Sequence, residues 1–393
     1  MYDFGYDITD YREIAPEYGT MADFDNMLAT ANKLGIKVVL DYVPNHTSNE
    51  SEWLVKSAQR DSQYENWYVW ANGTVDAESG ETGPPNNWIS IFRKSAWEFN
   101  EVRGQYYLHQ FVIGQPDLNY REPMVQAEMK EVLRFWLDKG VSGFRVDAIN
   151  MMYEVDPANY DLTPDDYDYL DHIYTKDLAE TYSVVYDWRE VLDEYITKAG
   201  EKKIMMTEAY TDLELMIKYY GDGGRDGSMP FNFAFLQDIT RTSNARDIKL
   251  IIDKWMTYMP SGKPANWVNG NHDQSRLASR LGAARVDAMN MLALLLPGVA
   301  LTYQGEELGM TDGFVSWEDT KDPQACNTDD PINYMKSSRD PNRTPYHWDA
   351  TANAGFSTSS NGTWLPVANN YLTVNLAAQQ ASRKSHYKVS VRL

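Results

Sequence analysis

Cys326 is the only cysteine among 393 residues, so no disulfide can form within the chain. Basic side chains are also scarce: 36 Lys and Arg stand against 57 Asp and Glu, and six His leave the formal charge at −21. Phosphate backbones require a basic surface, so this balance argues against nucleic acid as a partner. No apolar run approaches the roughly 18 residues that a membrane helix needs. The N-terminal MYDFGYDITDYREIAP lacks the apolar core of a secretory leader, and no internal repeat or low-complexity tract appears. Aromatic residues, by contrast, are plentiful, with 12 Trp and 27 Tyr. A large core absorbs most of these, and stacking on sugar rings is compatible with the rest. Sequons at Asn45, Asn49, Asn72, Asn342 and Asn361 matter only if the chain is secreted.

Apolar runs that read as strands alternate with runs of helical periodicity. The strand-like runs are IKVVLDYVPN (Ile36 to Asn45), GFRVDA (Gly143 to Ala148), IMMTEAY (Ile204 to Tyr210), MPFNFAF (Met229 to Phe235), PANWVNGN (Pro264 to Asn271) and GVALTYQGEE (Gly298 to Glu307). Thr20 and Asp23 have capping-box spacing before Met21, Phe24, Leu28 and Ala31, with Gly35 at the far end. Pro123 opens a second helix that Gly140 closes. A long, acidic, Tyr-rich stretch after Ala148 is expected to be helical. Residues 46–115 break the alternation with Trp-, Gly- and Asn-rich sequence too long for an ordinary loop, and read as an inserted subdomain. Trp67, Trp70, Trp88 and Trp97 are expected to form that subdomain's own core.

Strands alternating with helices imply a parallel sheet. In a closed parallel barrel the C-terminal strand ends converge on the face where active sites are built. Asp147, Glu208 and Asp273 each lie just past a strand-like run, so residues distant in sequence would meet there. Glycosidic bond cleavage needs that arrangement, with one carboxylate on the sugar carbon and one acid on the leaving oxygen. Arg145 precedes Asp147 by two residues, which puts both on one face of a strand, where the cation would hold the carboxylate ionised.

The motifs GYDITDY, DYVPNH, QPDLN, GFRVDA, TEA and NGNHD, followed by TYQGEELGM and RDPNRTP, stand in one order along nearly the whole chain. In that order they resemble the alpha-amylase family of glycoside hydrolases (family 13), most closely its insect maltase branch. The resemblance implies a (β/α)8 TIM barrel over residues 1–45 and 116–393, with residues 46–115 as an inserted subdomain after the third strand. It implies Asp147 as nucleophile, Glu208 as general acid/base, and Asp273 as the group that holds the sugar hydroxyls. Asp3, Tyr6, His46, Arg145, His272 and Arg343 match the family's sugar-binding positions, and Arg339 is a neighbour of that set. Glu306 and Glu307 read as structural. Ala148, next to the nucleophile, goes in this family with alpha-1,4 linkages.

The resemblance further implies a retaining, exo-acting alpha-glucosidase of maltose, sucrose or short oligosaccharides, from a secreted parent, with no cofactor taking part in the chemistry. It also carries a structural calcium on Asn45, Asp117, Glu154 and the carbonyls of Met151 and Met152. Oxygen donors suit a hard cation, but loop hydrogen bonds are an equal reading of Asn45 and Asp117. Against the family pattern, the first two barrel strands and the C-terminal beta-sandwich domain are missing, so the chain as it stands is expected to be inactive or barely folded. The competing reading is a non-catalytic member of the fold, such as a transporter heavy chain or a receptor-like protein. The intact set Asp147, Glu208, Asp273, His46 and His272 favours the enzyme.

Overall fold

The computed structural model describes residues 2–75, 80–156, 167, 170, 172–196 and 200–392. The stretch expected to be helical after Ala148 lies partly outside these residues, and its described part is helical over Glu180–Asp193. The chain forms two compact units, Met1–Pro230 and Phe231–Leu393.

In the first unit, β1 (Val39–Tyr42) precedes five short strands: β2 (Trp70–Ala71), β3 (Thr74–Val75), β4 (Thr82–Gly83), β5 (Trp97–Asn100) and β6 (Gln105–Leu108). Then come β7 (Gly143–Val146), β8 (Ile204–Thr207) and β9 (Met229–Pro230). The parallel sheet runs β1-β7-β8-β9, while β2, β6 and β5 make a separate antiparallel sheet within residues 46–115. Trp88 and Trp97 form a separate buried cluster with Val69, Ala96 and Leu108, as expected, whereas Trp67 is buried in the main core with Phe144 and Val146, because its ring meets Trp53 and Tyr64. Trp70 is half-buried, with its indole N–H on Ser57 Oγ and the Arg103 guanidinium over its ring.

Two helices illustrate how local chemistry sets the ends of elements. Met21–Lys33 begins with the expected capping box: Thr20 accepts from the Asp23 amide while Asp23 accepts from the Thr20 amide. Pro123–Lys139 ends at Gly140, whose φ of +101° lies in the left-handed region that glycine enters without penalty. The buried face of that helix (Val125, Met129, Val132, Leu133, Trp136, Leu137) packs into the core that contains Phe144 and Val146 of β7.

In the second unit, β10 (Asn266–Val268) and β11 (Val299–Leu301) pair in parallel. The helices Ala245–Tyr258 and Ala283–Leu295 flank β10 in sequence. All six strands are shorter than the runs that announced them, three of them in the stretch from Met229 onward. MPFNFAF is extended only over Met229–Pro230, because Asn232 turns the chain. Its amide and side chain bind Asn266, and its Oδ1 accepts from the Ala234 amide, which starts the short helix Ala234–Gln237. β10 covers only the middle of PANWVNGN, and β11 ends before Gly305, which turns into a 3-10 segment, Glu306–Leu308, at φ +88°. Of the sequons, Asn45 and Asn342 are buried, whereas Asn72 and Asn361 are exposed. Among the described residues, no helix is long and apolar enough to cross a membrane.

Gly143 opens β7 at φ +156°, and a Cβ there would overlap the Ile204 carbonyl of β8. Gly143→Ala should therefore push apart two paired strands, at a cost of about 1–3 kcal/mol. Thermal melting of the variant should show a drop of several degrees. An unchanged midpoint would mean that the β7–β8 approach tolerates a side chain.

Candidate active site

Parallel register places Asp41 of β1 directly opposite Arg145 of β7. One residue past each strand, the Asp147 amide donates to the Tyr42 carbonyl and the Glu208 amide to the Val146 carbonyl. These bonds hold the residues after the strand ends in the ladder. Alternation then brings Asp147 and Glu208 to the same face as Arg145. The guanidinium serves three carboxylates: Nη1 donates to Asp147 Oδ1 at 2.6 Å and to Asp41 Oδ1 at 2.8 Å, and Nη2 donates to Glu208 Oε2 at 2.5 Å. Burial alone would favour a neutral arginine, but Glu208, Asp147 and Asp41 outweigh it and hold the cation well above its ordinary range.

Tyr6 donates its hydroxyl to Asp41 Oδ2 at 2.8 Å, and its ring lies 5.9 Å from the Arg145 guanidinium carbon. Asp41 is the residue that sequence reading passed over. Its signal was present, as the one acidic residue in a largely apolar run, but only strand register reveals its partner. His46 is 1% exposed, with Nδ1 beside Asn45 Oδ1 and Nε2 beside the Tyr6 carbonyl at 3.0 Å. Burial lowers its pKa to about 4, so it is neutral near neutral pH and anchors the Tyr6 backbone. Asp3 is buried too, and its carbonyl accepts from the Tyr6 amide. Ala148, following Asp147, is left-handed at φ 43°, ψ 39°, and its amide points at Glu208 Oε2, 3.4 Å away.

Asn45, Asp117 and the Met151 carbonyl also gather in this unit. Asn45 Nδ2 reaches Met151 O at 2.6 Å, and Gln110 Nε2 reaches both Asp117 Oδ2 and Met151 O, at 2.7 and 2.9 Å. Met152 and Glu154 are buried nearby in sequence. Burial raises Glu154 to about 7 despite Arg121, and it raises Asp117 as well, with the Glu154 charge adding to that rise. Two buried acids that repel each other, beside the Met151 carbonyl, suit a hard cation, while Asn45 turns its Nδ2 toward Met151 O and its Oδ1 toward His46. Among the described residues, no three His, Cys, Asp or Glu side chains form a metal cluster, and the expected set contains only two acids.

The second unit carries the remaining residues. Asp273 Oδ1 accepts from Arg343 Nη2 at 2.8 Å and from Arg339 Nη1 at 3.3 Å, while His272 Nε2 lies 3.4 Å from Oδ2. Arg343 Nε and Asn342 Nδ2 both donate to the His272 carbonyl, at 2.8 and 2.6 Å, so RDPNR clamps the NHD segment. Glu306 is 4% exposed, burial pushes it up to about 8, and neither carboxylate oxygen has a hydrogen-bond partner among the described residues. Glu307 accepts from the Gly305 amide and the Tyr346 hydroxyl.

The family model for the alpha amylase catalytic domain matches residues 1–393. The chain belongs to the alpha-amylase family. Within the family it is 54% identical over 409 residues to Maltase A1 of Drosophila melanogaster, covering 100% of this chain and 70% of that protein. It is 48% identical over 405 residues to a salivary alpha-glucosidase of Anopheles gambiae, covering 100% and 68%. A human amino acid transporter heavy chain, SLC3A1, is further off at 40% over 399 residues, covering 98% and 56%. Among solved structures, the trehalulose synthase MutB superposes with a TM-score of 0.86 at 32% identity, covering 98% of this chain and 72% of that one. The chain spans 63–70% of the length of the maltases and salivary alpha-glucosidase it matches. Like its relatives named for glycoside hydrolysis, it is a glycoside hydrolase.

Asp41→Asn should weaken the grip on both Arg145 and Tyr6. Because Asp41 is partly exposed, the loss in turnover of a glycoside should be about tenfold rather than the larger effect of a fully buried charged bond. Steady-state kinetics alongside circular dichroism would check this, and wild-type turnover would remove Asp41 from the site.

Proposed function

We propose that this chain is the catalytic part of a retaining alpha-glucosidase that releases terminal alpha-1,4-linked glucose from maltose, sucrose or short oligosaccharides. The observation that carries the reading is the single guanidinium of Arg145 binding both the Asp147 and Glu208 carboxylates. The six parallel strands are taken as strands of the family's (β/α)8 barrel. Relatives named maltase and salivary alpha-glucosidase support both the activity and a secreted parent. The heavy-chain reading has a more distant relative behind it and leaves the intact acid pair without a use.

In the mechanism, Asp147 attacks the anomeric carbon as the glycosidic C–O bond breaks, and Glu208 gives its proton to the departing oxygen. The ester formed on Asp147 is then cleaved by water, which Glu208 deprotonates, restoring both groups. The charge cluster suits this division. Three carboxylates gather around one cation. Glu208 supplies the proton that the leaving group needs and Asp147 attacks as the carboxylate, each held in place by one nitrogen of Arg145. Asp273, with His272 and Arg343, holds sugar hydroxyls. Asp3 and Tyr6 are assigned to the sugar as well, and His46 acts by fixing Tyr6.

In the full-length parent, Asp147→Asn and Glu208→Gln should each abolish turnover without unfolding the protein, at the cost of a lower melting temperature, because each removes a counter-charge from Arg145. The first-formed glucose, read by NMR during maltose hydrolysis, should be the alpha anomer. Initial release of the beta anomer, or substantial activity in either variant, would overturn the assignment. The two carboxyl groups should lie about 5–5.5 Å apart, the retaining separation.

We also assign a structural calcium to Asn45, Asp117, Glu154 and the carbonyls of Met151 and Met152. A bound cation would offset the repulsion between two buried acids and tie the loop after β1 to the turn after β7. It would take no part in bond cleavage. A chelator should lower the calorimetric melting temperature, through the loss of a ligand that binds only the folded state, while KM stays nearly constant. An unchanged melting temperature would dismiss the site.

A further inference from the structure

Besides Asp273, Arg339 contacts the carboxylate of Asp322, seventeen residues earlier on a loop. Asp322 is fully buried and accepts from three Arg339 donors: the amide at 2.6 Å, Nε at 3.1 Å and Nη2 at 2.7 Å. Those bonds occupy one edge of the guanidinium and leave Nη1 directed at Asp273 Oδ1. Asp322 is itself held in place, because Asp340, also fully buried, accepts from the amides of Lys321 and Asp322 at 2.8 and 3.1 Å. The result is a line of polar contacts from Asp340 through the loop to Asp322, Arg339 and Asp273.

We infer that Asp322 is a positioning residue for Asp273, acting through Arg339, and that it also sets how much positive charge Asp273 feels. Two guanidiniums, Arg339 and Arg343, meet on one oxygen of Asp273, with His272 beside the other. A carboxylate gripped by two full cations would be a poor partner for sugar hydroxyls, because its charge would be spent inside the protein. Asp322 supplies a second anion to the Arg339 guanidinium, so Asp273 does not meet that cation alone. A paired Arg339 orients Asp273 without capturing it. Without Asp322, the whole Arg339 charge would fall on Asp273, and the fork would be free to rotate into a bidentate grip on it.

This inference rests on the reading of Asp273 as a sugar-binding group. A bland alternative is available: Asp322 accepts from the Gln324 amide and starts the short helix Pro323–Cys326, so it could serve the loop alone. The two roles differ in what a double-mutant cycle reads. Asp322→Asn, Arg339→Gln and the double variant would be assayed on maltose, with melting temperatures measured in parallel.

Asp322→Asn should lower kcat by roughly tenfold to a hundredfold, the range set by loss of a charged, buried hydrogen bond. In the Arg339→Gln background the same change should cost little further kcat, because the residue through which it acts is already gone. Multiplicative losses in the double variant would overturn the inference, as would an Asp322→Asn enzyme with wild-type kcat and KM. If Asp322→Asn does not fold, Asp322→Glu replaces it. That variant keeps the buried charge but moves the fork by one methylene, and should keep the melting temperature while lowering kcat; wild-type kinetics there would also overturn the inference. Asp273→Asn serves as the control. An active Asp273→Asn enzyme would sink the reading of Asp273 itself, whereas an inactive one combined with a multiplicative cycle would sink only the role of Asp322.

Discussion

The site in the first unit depends on one buried cation. Arg145 stands on the central part of the parallel sheet, and its guanidinium is the shared partner of Asp41, Asp147 and Glu208. Removing a charge from water is expensive unless hydrogen bonds and counter-charges replace the lost solvation. Here the replacements come from three different strands, so the guanidinium is satisfied only when β1, β7 and β8 are in register. The energy that makes the cation tolerable is therefore the same energy that gathers the carboxylates proposed to react. Fold and chemistry share a single interaction, and neither can be relaxed without disturbing the other.

The second unit solves a similar problem with the charges inverted. There one carboxylate, Asp273, receives two guanidiniums, and the surplus cation is matched by Asp322. The loop bearing Asp322 has no regular structure over most of its length, yet its buried acids fix it as firmly as a sheet would. Irregular backbone can be precise when its polar groups are paired inside the protein.

Much of this was legible in the chain because it is written locally. Thr20 with Asp23, and Pro123 with Gly140, are end signals within a few residues of the helices they bound. The six strands announced themselves as apolar runs before polar residues, and Asp147 and Glu208 could be placed because they follow such runs directly. What escaped was set by pairing between distant segments. Asp41 becomes informative only once β1 is aligned with β7, and nothing in VVLDY records that alignment. Asp322 sits in a loop without periodicity, and its partner is identified by a fork of hydrogen bonds rather than by spacing. MPFNFAF stopped short for a related reason. Its apolar content suits a strand, but Asn232 has a partner on β10 that a local reading cannot supply.

The backbone at Ala148 has a further consequence. A left-handed φ of 43° costs an ordinary L-residue about 1–2 kcal/mol, and a branched side chain suffers more than alanine does. With Asp147 as the proposed nucleophile, the residue beside it is constrained by the turn it must make as well as by any room that a sugar needs there. Evolutionary exchange at this position is then not free. A lineage that enlarges residue 148 to accept a different linkage also inherits a strained turn directly under its nucleophile. Such a change should spread only together with a second substitution that eases the turn or stiffens its surroundings, so that changes in linkage preference in this branch would be recorded as pairs of substitutions rather than single ones.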